Sequence, residues 1–184
     1  MDKESIRQRL LSERSKLSAS EVHKKSRQIT DRLLSSELLG NDEIIMSYHA
    51  FRNEVETAEI NRILLDAHES ILLPYTDEKF MIYPCVFDKH TELKPDRFGV
   101  MVPKPLHIED ICPQVVILPC VGIDLNGNRI GFGKGCYDRF FSNHSKIRKI
   151  ALAYDFQVLN EIHSDLNDVP ANFIVTETRI IKSR

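Results

Sequence analysis

The sequence predicts one α/β domain, residues 1–184, built around a mostly parallel β-sheet. Three observations support this prediction. Short apolar runs alternate along the chain with segments that carry apolar residues at helical spacing, which is typical of strands joined by crossover helices. The length suits a single hydrophobic core. No internal repeat or linker-like stretch divides the chain.

The first fifty residues predict two helices and a strand. Residues 3–17 form the first predicted helix. Ser18 and Glu21 have the spacing of a capping box, so a second helix is expected to begin there and to run to about residue 36. Residues 43–48, Glu-Ile-Ile-Met-Ser-Tyr, are short and apolar and are predicted to form the first strand.

One helix and two strands are predicted next. Residues 56–68 are amphipathic, with apolar side chains at helical spacing. Residues 70–74 and 79–87 are predicted strands. Pro84 places the second of these at a sheet edge, because proline has no N–H to donate to a neighbouring strand.

The second half of the chain predicts an irregular crossover followed by three strands and a helix. Residues 88–114 are polar and interrupted by prolines, which favours irregular structure. Residues 114–119 are the most strand-like run, and strands are also predicted at 149–154 and 173–177, with a helix at 136–143. Ligands of such sheets bind beyond the carboxyl ends of the strands, so a site is expected directly after 114–119.

Composition limits the class of protein. Lys and Arg number 25 and Asp and Glu number 27, and the resulting net charge of −2 argues against a nucleic-acid binder. Four cysteines without a C-x-x-C pair indicate reduced thiols. The charged amino terminus and the absence of an apolar run of roughly 18 residues predict a cytoplasmic protein with no membrane segment. We expect a monomer or weak homodimer that acts on small molecules.

The most unusual segment is GNRIGFGKGCYDRF, residues 127–140. The chain has seven glycines, and five of them lie between positions 122 and 135. Gly131, Gly133 and Gly135 alternate, which allows successive backbone N–H groups to line an anion-binding nest at the start of the following helix.

Charged residues flank this nest. Arg129 and Lys134 could bind phosphate oxygens, and Asp138 in the first helical turn could hold Mg²⁺ beside them. The alternative is a flexible turn with solvated charges. Neither the Walker motif nor the dinucleotide-binding motif fits, since Cys136 occupies the position of the last dinucleotide-motif glycine and Gly135 follows the lysine. If the loop binds ATP, it does so by a less common arrangement.

The first predicted helix mixes cations with leucines on one face. Positions 3, 7, 10, 14 and 17 share this face and are occupied by Lys3, Arg7, Leu10, Arg14 and Leu17. This mixing suggests cations held over a cleft. The alternative is snorkelling, in which long side chains cover apolar surface and keep their charged ends in water.

Two carboxylates, Glu54 and Glu56, lie between the first strand and the next helix. Glu54 could reach into the cleft and accept hydrogen bonds from ligand N–H groups. Alternatively, Thr57 or Glu56 simply caps or complements the start of the helix.

Taken together, these residues resemble the 5-formyltetrahydrofolate cyclo-ligase family. The resemblance rests on LPCVGIDLNGNRIGFGKGCYDRF (118–140), which is similar to the family's long glycine motif. It is supported by Lys3-x-x-x-Arg7, by NEVET (53–57) and by DVPANFIVTE (168–177).

The resemblance implies a three-layer αβα sandwich like that of phosphosugar isomerases and CoA transferases. It also implies ATP- and Mg²⁺-dependent cyclisation of 5-formyltetrahydrofolate to 5,10-methenyltetrahydrofolate, with release of ADP and phosphate. In that reaction the γ-phosphoryl group of ATP is transferred to the formyl oxygen, which then leaves as phosphate when N10 attacks the formyl carbon.

The resemblance further implies roles for named residues. The ATP-binding candidates are Lys3, Arg7, Arg14, Gly131, Gly133, Gly135 and Tyr137. Lys134 and Arg129 would stabilise the transferred phosphoryl group as catalytic residues. The substrate-binding candidates are Glu54, His49 and Tyr137, and the Mg²⁺ candidates are Asp138 and Asn172.

Three positions depart from the family pattern. Cys120 replaces a glycine, Cys136 replaces a tyrosine, and Asn172 stands where the family usually has an aspartate near the metal. These departures leave one alternative open, a non-catalytic paralogue that binds nucleotide or folate. A phosphosugar-handling enzyme of the same general fold is a second alternative.

Overall fold

The computed structural model describes residues 2–40, 43–108 and 110–183. Its helices are α1 (Lys3–Ser15), α2 (Ala19–Leu34), α3 (Ala58–Ala67) and α4 (Cys136–Ser142). Its strands are β1 (Ile45–Met46), β2 (Ile71–Thr76), β3 (Ile82–Phe87), β4 (Glu92–Pro95), β5 (Met101–Lys104), β6 (Val115–Pro119), β7 (Gly122–Asp124), β8 (Arg129–Ile130), β9 (Arg148–Leu152), β10 (Val158–Leu159), β11 (Phe173–Val175) and β12 (Ile180–Lys182).

A seven-stranded sheet forms the centre of the molecule, in the order β12-β11-β9-β6-β1-β2-β3. The inner strands β11, β9, β6, β1 and β2 are parallel to one another, while β12 and β3 are antiparallel to their neighbours. The predicted mostly parallel sheet is therefore confirmed. Pro84 lies in the edge strand β3, as predicted, opposite Pro74 of β2.

Both faces of this sheet are covered by helices. Successive strand residues point to opposite faces. Ile117 of β6 accordingly clusters with residues of α2 and α3, whereas its neighbour Leu118 clusters with Phe140 and Phe141 of α4. The result is helices on either side of a buried sheet, in agreement with the predicted αβα layering.

Helix α1 lies outside these layers and packs on a small second sheet. This sheet has the order β10-β7-β8 and continues from the carboxyl end of β6. Ile6 and Leu10 of α1 cluster with Val121, Ile130 and Ile162. The packing fixes α1 beside the chain that leads into the glycine-rich loop.

The expectation of irregular structure over 88–114 is wrong. Strands β4 and β5 form an antiparallel hairpin there, in which Leu93 pairs with Pro103 and Pro95 pairs with Met101. Proline is tolerated in a two-stranded hairpin because one side of each strand needs no partner. The short strands β7, β8, β10 and β12 were also not predicted, because two or three residues are too few to show an alternating pattern.

Two predictions from composition can be compared with the structure. No helix within the described ranges is both long and apolar enough to cross a membrane. All four cysteines are free thiols.

The predicted capping box of α2 is confirmed. The Ser18 hydroxyl accepts a hydrogen bond from the Glu21 N–H at 3.3 Å, and the Glu21 carboxylate accepts one from the Ser18 N–H at 2.9 Å. We expect Ser18→Ala to lower the free energy of unfolding by about 1 kcal/mol, because the cap satisfies a helix donor that otherwise has no partner. Urea denaturation measures this loss. The neighbouring exposed Ser20→Ala is the control, and equal stability of Ser18→Ala and wild type would contradict the assignment.

Candidate active site

The glycine-rich loop, residues 131–135, joins β8 to α4 and faces α1. Gly133 and Gly135 adopt left-handed conformations, with φ of +84° and +61°. A Cβ at Gly133 would lie 3.4 Å from the guanidinium carbon of Arg7. The Arg7 Nε donates to the Gly131 carbonyl at 2.7 Å. Glycine is therefore needed for the turn, and the Arg7 hydrogen bond ties this turn to α1.

Lys134 is the exposed cation at the tip of this loop. Its Nζ lies 5.1 Å from the centre of the Phe80 ring. Among the described residues, no carboxylate forms an ion pair with it. Arg139 anchors the backbone of the loop, since its guanidinium donates to the carbonyls of Lys134 at 2.6 Å and Phe80 at 3.0 Å. The lysine charge remains available to a ligand.

Arg129, by contrast, is already paired. Its guanidinium donates to Asp138 Oδ1 at 2.7 Å and also to the Val169 carbonyl. The same Asp138 oxygen accepts a hydrogen bond from the Val169 N–H at 3.2 Å. In this structure Arg129 links the first turn of α4 to the segment around Val169. Arg129, a predicted catalytic residue, and Asp138, a predicted metal ligand, therefore neutralise each other's charge.

The two predicted Mg²⁺ ligands are not brought together by any contact in the described chain. Asn172 lies before β11, and its Oδ1 accepts a hydrogen bond from the Lys149 N–H at 2.8 Å. Within the described ranges, no group of three His, Cys, Asp or Glu residues could hold a metal ion. Proteins often bind Mg²⁺ through one or two carboxylates together with substrate phosphates. Asp138 alone fits that requirement, through the oxygen that does not bond Arg129.

Lys3 and Arg7 of α1 each have two partners. Lys3 pairs with Asp165 at 2.6 Å and Asp168 at 2.5 Å. Arg7 pairs with Glu4 in addition to Gly131. Sequence reasoning missed Asp165 and Asp168, although Asp168 opens the DVPANFIVTE run.

Arg14 is buried, with an exposed fraction of 2%. Its Nη1 donates to the Cys120 carbonyl at 3.3 Å, and its Nη2 is buried without a hydrogen-bond partner in the described part of the chain. The snorkelling alternative fails for Arg14 because the charged end itself is buried. Leu17 lies beyond the end of α1, so the predicted face extends only to Arg14.

Glu54 lies near Arg14 on a strained loop. Arg52 and Asn53 both have positive φ, +50° and +55°, which turns the Glu54 side chain inward. The carboxylate is 6% exposed and accepts a hydrogen bond from the Phe51 N–H at 3.0 Å. Burial raises the pKa of Glu54 to about 7, against the opposing effects of Arg14 and the Phe51 N–H.

The capping alternative for this segment is not observed. Thr57 precedes α3 but makes no side-chain cap, and its hydroxyl instead donates to the Tyr48 carbonyl. Glu56 pairs with His23 of α2 at 3.1 Å. Glu54 is therefore the carboxylate that turns into the interior, as the functional interpretation expected.

Tyr137 and Cys120 lie near Glu54 in the interior of the site, and His49 follows the carboxyl end of β1. Burial and the nearby Glu54 raise the pKa of Tyr137 well above its usual value. Burial likewise raises the pKa of Cys120 to about 12, so this residue is a neutral thiol rather than a nucleophile. His49 Nδ1 is buried without a hydrogen-bond partner among the described residues. Arg14 and His49 thus each present an unsatisfied polar atom, which a polar ligand could satisfy.

An aromatic rim, comprising Phe51, Phe80, Phe98 and Phe132, lies beside Lys134, Arg14 and Glu54 and was not predicted. Phe80, with φ of +61°, stacks on Phe98 at a centroid distance of 6.2 Å. A Cβ on Gly99 would lie 3.5 Å from the Phe51 ring. Phe132 lies near the Arg14 guanidinium, 5.8 Å from ring centre to Cζ, and is 45% exposed. The missed β4–β5 hairpin supplies Phe98 to this rim.

A model of the 5-formyltetrahydrofolate cyclo-ligase family matches residues 1–177. The chain is 26% identical to the 5-formyltetrahydrofolate cyclo-ligase of Haemophilus influenzae, over 91% of this chain and 94% of the relative. It is also 26% identical to the Escherichia coli cyclo-ligase, over 95% of this chain and 98% of the relative.

Two solved structures share the fold. The 5,10-methenyltetrahydrofolate synthetase of Aquifex aeolicus matches with a TM-score of 0.86 and 28% identity, over 100% of this chain and 94% of that one. A synthetase from Mycoplasma pneumoniae matches with a TM-score of 0.75 and 23% identity, over 96% and 99% of the two chains, which supports the fold alone.

Proposed function

Because the chain belongs to the 5-formyltetrahydrofolate cyclo-ligase family, we propose that it uses ATP and Mg²⁺ to close 5-formyltetrahydrofolate to 5,10-methenyltetrahydrofolate. The family and the matched structures indicate an enzyme with 5,10-methenyltetrahydrofolate synthetase activity. The roles of ATP, Mg²⁺ and the individual side chains are our proposal. It rests above all on Lys134, an exposed cation without a carboxylate partner in the described chain, at the tip of a glycine loop that faces Arg7.

The triphosphate would lie between α1 and the glycine loop. Backbone N–H groups around Gly133 and Gly135 would bind phosphate oxygens, with Arg7 on one side and Lys134 on the other. The hydrogen bond from Arg7 Nε to the Gly131 carbonyl, which holds Arg7 beside the loop, supports this arrangement. Lys3 would join them by exchanging Asp165 and Asp168 for phosphate. Asp138 would hold Mg²⁺, which would neutralise charge on the phosphates.

The folate would occupy the interior beside Glu54. A buried carboxylate with a pKa of about 7 can accept hydrogen bonds from N–H groups of a planar heterocycle. Tyr137 and the aromatic rim would pack against the flat rings, and His49 and Arg14 would use their unsatisfied polar atoms on the substrate. The formyl oxygen would then face the γ-phosphate held by Lys134.

The reaction requires little covalent participation by the protein. The formyl oxygen attacks the γ-phosphorus and ADP leaves. N10 then attacks the formyl carbon, and the former carbonyl oxygen leaves as phosphate. Positioned cations and N–H groups stabilise the charge on the transferred phosphoryl group. Arg129 would act by holding Asp138 and the start of α4 in place, which is a positioning role and not a direct contact with the phosphoryl group.

The direct test is to mix the protein with ATP, Mg²⁺ and 5-formyltetrahydrofolate and to follow the absorbance of the methenyl product. We expect product to form only when all three are present. Product formation at the blank rate, by a folded protein that still binds both ligands, would exclude the proposed activity and favour a non-catalytic binding protein.

The aromatic rim gives a prediction about binding of the folate substrate, separate from binding of ATP. We expect Phe98→Ala to raise the KM for 5-formyltetrahydrofolate severalfold and to leave the KM for ATP unchanged. Phe98 stacks on Phe80 in the aromatic rim that we place against the folate rings, and loss of one stacking partner weakens binding by about 1 kcal/mol. Steady-state kinetics with each substrate varied measures both values. Ile180→Ala on the edge strand β12 is the control, and parallel changes in both KM values would contradict this role.

A further inference from the structure

A second concave region lies at the opposite end of the sheet from the candidate active site. It is a cavity of about 1050 Å³, lined at the amino ends of β6, β9 and β11 by Gln114, Arg148 and Phe173. The glycine loop and Glu54 do not line it. Asn172, which the family resemblance named as a Mg²⁺ candidate, lines this cavity, but the proposed reaction uses Asp138 alone for the metal and gives the cavity no role.

The walls of this cavity carry uncompensated positive charge. Lys146, Lys149 and Lys182 all line it. Among the described residues, none of these three lysines forms an ion pair. The lining carboxylate Glu43 is already paired with Arg148 at 2.9 Å. The cavity therefore has three positive charges that no described carboxylate neutralises.

Two of the lining residues have polar groups that are buried with little or no compensation. Lys149 is only 6% exposed, and its Nζ donates to the Ile147 carbonyl at 3.0 Å. A buried ammonium whose hydrogen-bond partner in the described chain is a neutral carbonyl is costly to keep charged. Ser183 Oγ is buried without a hydrogen-bond partner within the described chain. A bound anion would pair with the Lys149 ammonium and would accept a hydrogen bond from the Ser183 hydroxyl.

We propose that this cavity binds a small, multiply charged phosphate compound. Three lysines provide compact point charges of the kind that phosphate groups attract. The site is concave, and the whole chain carries a net charge of −2, which favours a small molecule over a nucleic acid. This binding does not depend on the proposed reaction.

Inorganic pyrophosphate is the probe, with binding measured by calorimetry. The Lys134→Ala variant, which weakens the proposed active-site phosphate contacts, is used as the background so that the two sites are separated. We expect this variant to retain pyrophosphate binding, and we expect the further changes Lys146→Gln and Lys182→Gln to weaken that binding at least tenfold. Both lysines are exposed, so the changes should leave the fold intact. The exposed Lys24→Gln on α2 is the matched control.

Amide NMR shifts give a readout that does not depend on affinity. We expect pyrophosphate to shift the amides of residues 146–149 and 182–183 in the Lys134→Ala background. Three results would overturn the proposal: no binding in that background, unchanged binding after Lys146→Gln and Lys182→Gln, or shifts confined to the glycine loop. Citrate, a multiply charged anion without phosphate, is the comparison ligand. If it binds as tightly as pyrophosphate, the assignment of the cavity to phosphate compounds is wrong.

Discussion

Replacement of Lys134 by alanine is expected to lower the turnover of 5-formyltetrahydrofolate at least tenfold while the protein stays folded. A tenfold loss corresponds to about 1.4 kcal/mol of transition-state stabilisation. Lys134 is exposed and has no carboxylate partner in the described chain, so its removal should cost little stability. The measurement is kcat with both substrates saturating, alongside thermal unfolding of the same samples.

Lys24→Ala, which removes an exposed lysine from α2, is the matched control and should have wild-type kcat. Wild-type turnover in Lys134→Ala would contradict the assignment of the phosphate site. Asp138→Ala should also lower turnover at least tenfold, but it is a less specific test. Because Asp138 pairs with the buried Arg129, this second variant leaves a cation unpaired and should be destabilised as well.

Replacement of Glu54 by glutamine is expected to change both folate binding and the pH dependence of stability. The pKa of Glu54 is raised from its usual 4.5 to about 7, so at intermediate pH the folded protein holds a proton that the unfolded chain has lost. The stability from this group is full below about pH 4.5 and is lost as the pH rises through about 7. At about pH 8 the buried carboxylate should therefore lower the free energy of unfolding by up to about 3 kcal/mol. Glu54→Gln removes this loss because glutamine carries no charge.

Urea denaturation of wild type and Glu54→Gln at about pH 5 and about pH 8 tests the direction in which their stability difference changes with pH. We expect the variant to gain stability relative to wild type as the pH rises, and to bind 5-formyltetrahydrofolate about tenfold more weakly, since a hydrogen bond to a charged acceptor is lost. Glu56→Gln, in the same segment but paired with His23, is the control. A stability difference that is independent of pH would contradict the buried, proton-binding state of Glu54.

The parts of the fold that were predictable carry local signals. The capping box of Ser18 and Glu21 defines the start of α2, and the prolonged apolar run at β6 marks a strand buried on both faces. Pro84 could only occupy an edge. The glycine motif likewise identified the loop, because Gly133 and Gly135 need a backbone conformation that other residues rarely adopt.

The remaining features depend on contacts between distant segments. The prolines of the β4–β5 hairpin indicated irregular structure, so neither the hairpin nor the stacking of Phe98 on Phe80 was predicted. The pairing of Lys3 with Asp165 and Asp168 joins residues more than 160 positions apart, for which a single sequence has no signal. The charge of Arg129 suggested direct phosphate contact, and only the three-dimensional structure shows that Asp138 already pairs with it.

The central claim is that ATP binds between the α1 cations and the glycine loop. Titration calorimetry of ATP in the presence of Mg²⁺ tests it most directly, with wild type and Lys134→Ala compared in the same buffer. The account predicts a clear heat of binding for wild type and at least tenfold weaker binding for the variant. No heat in wild type, or equal affinity in the two proteins, would contradict it.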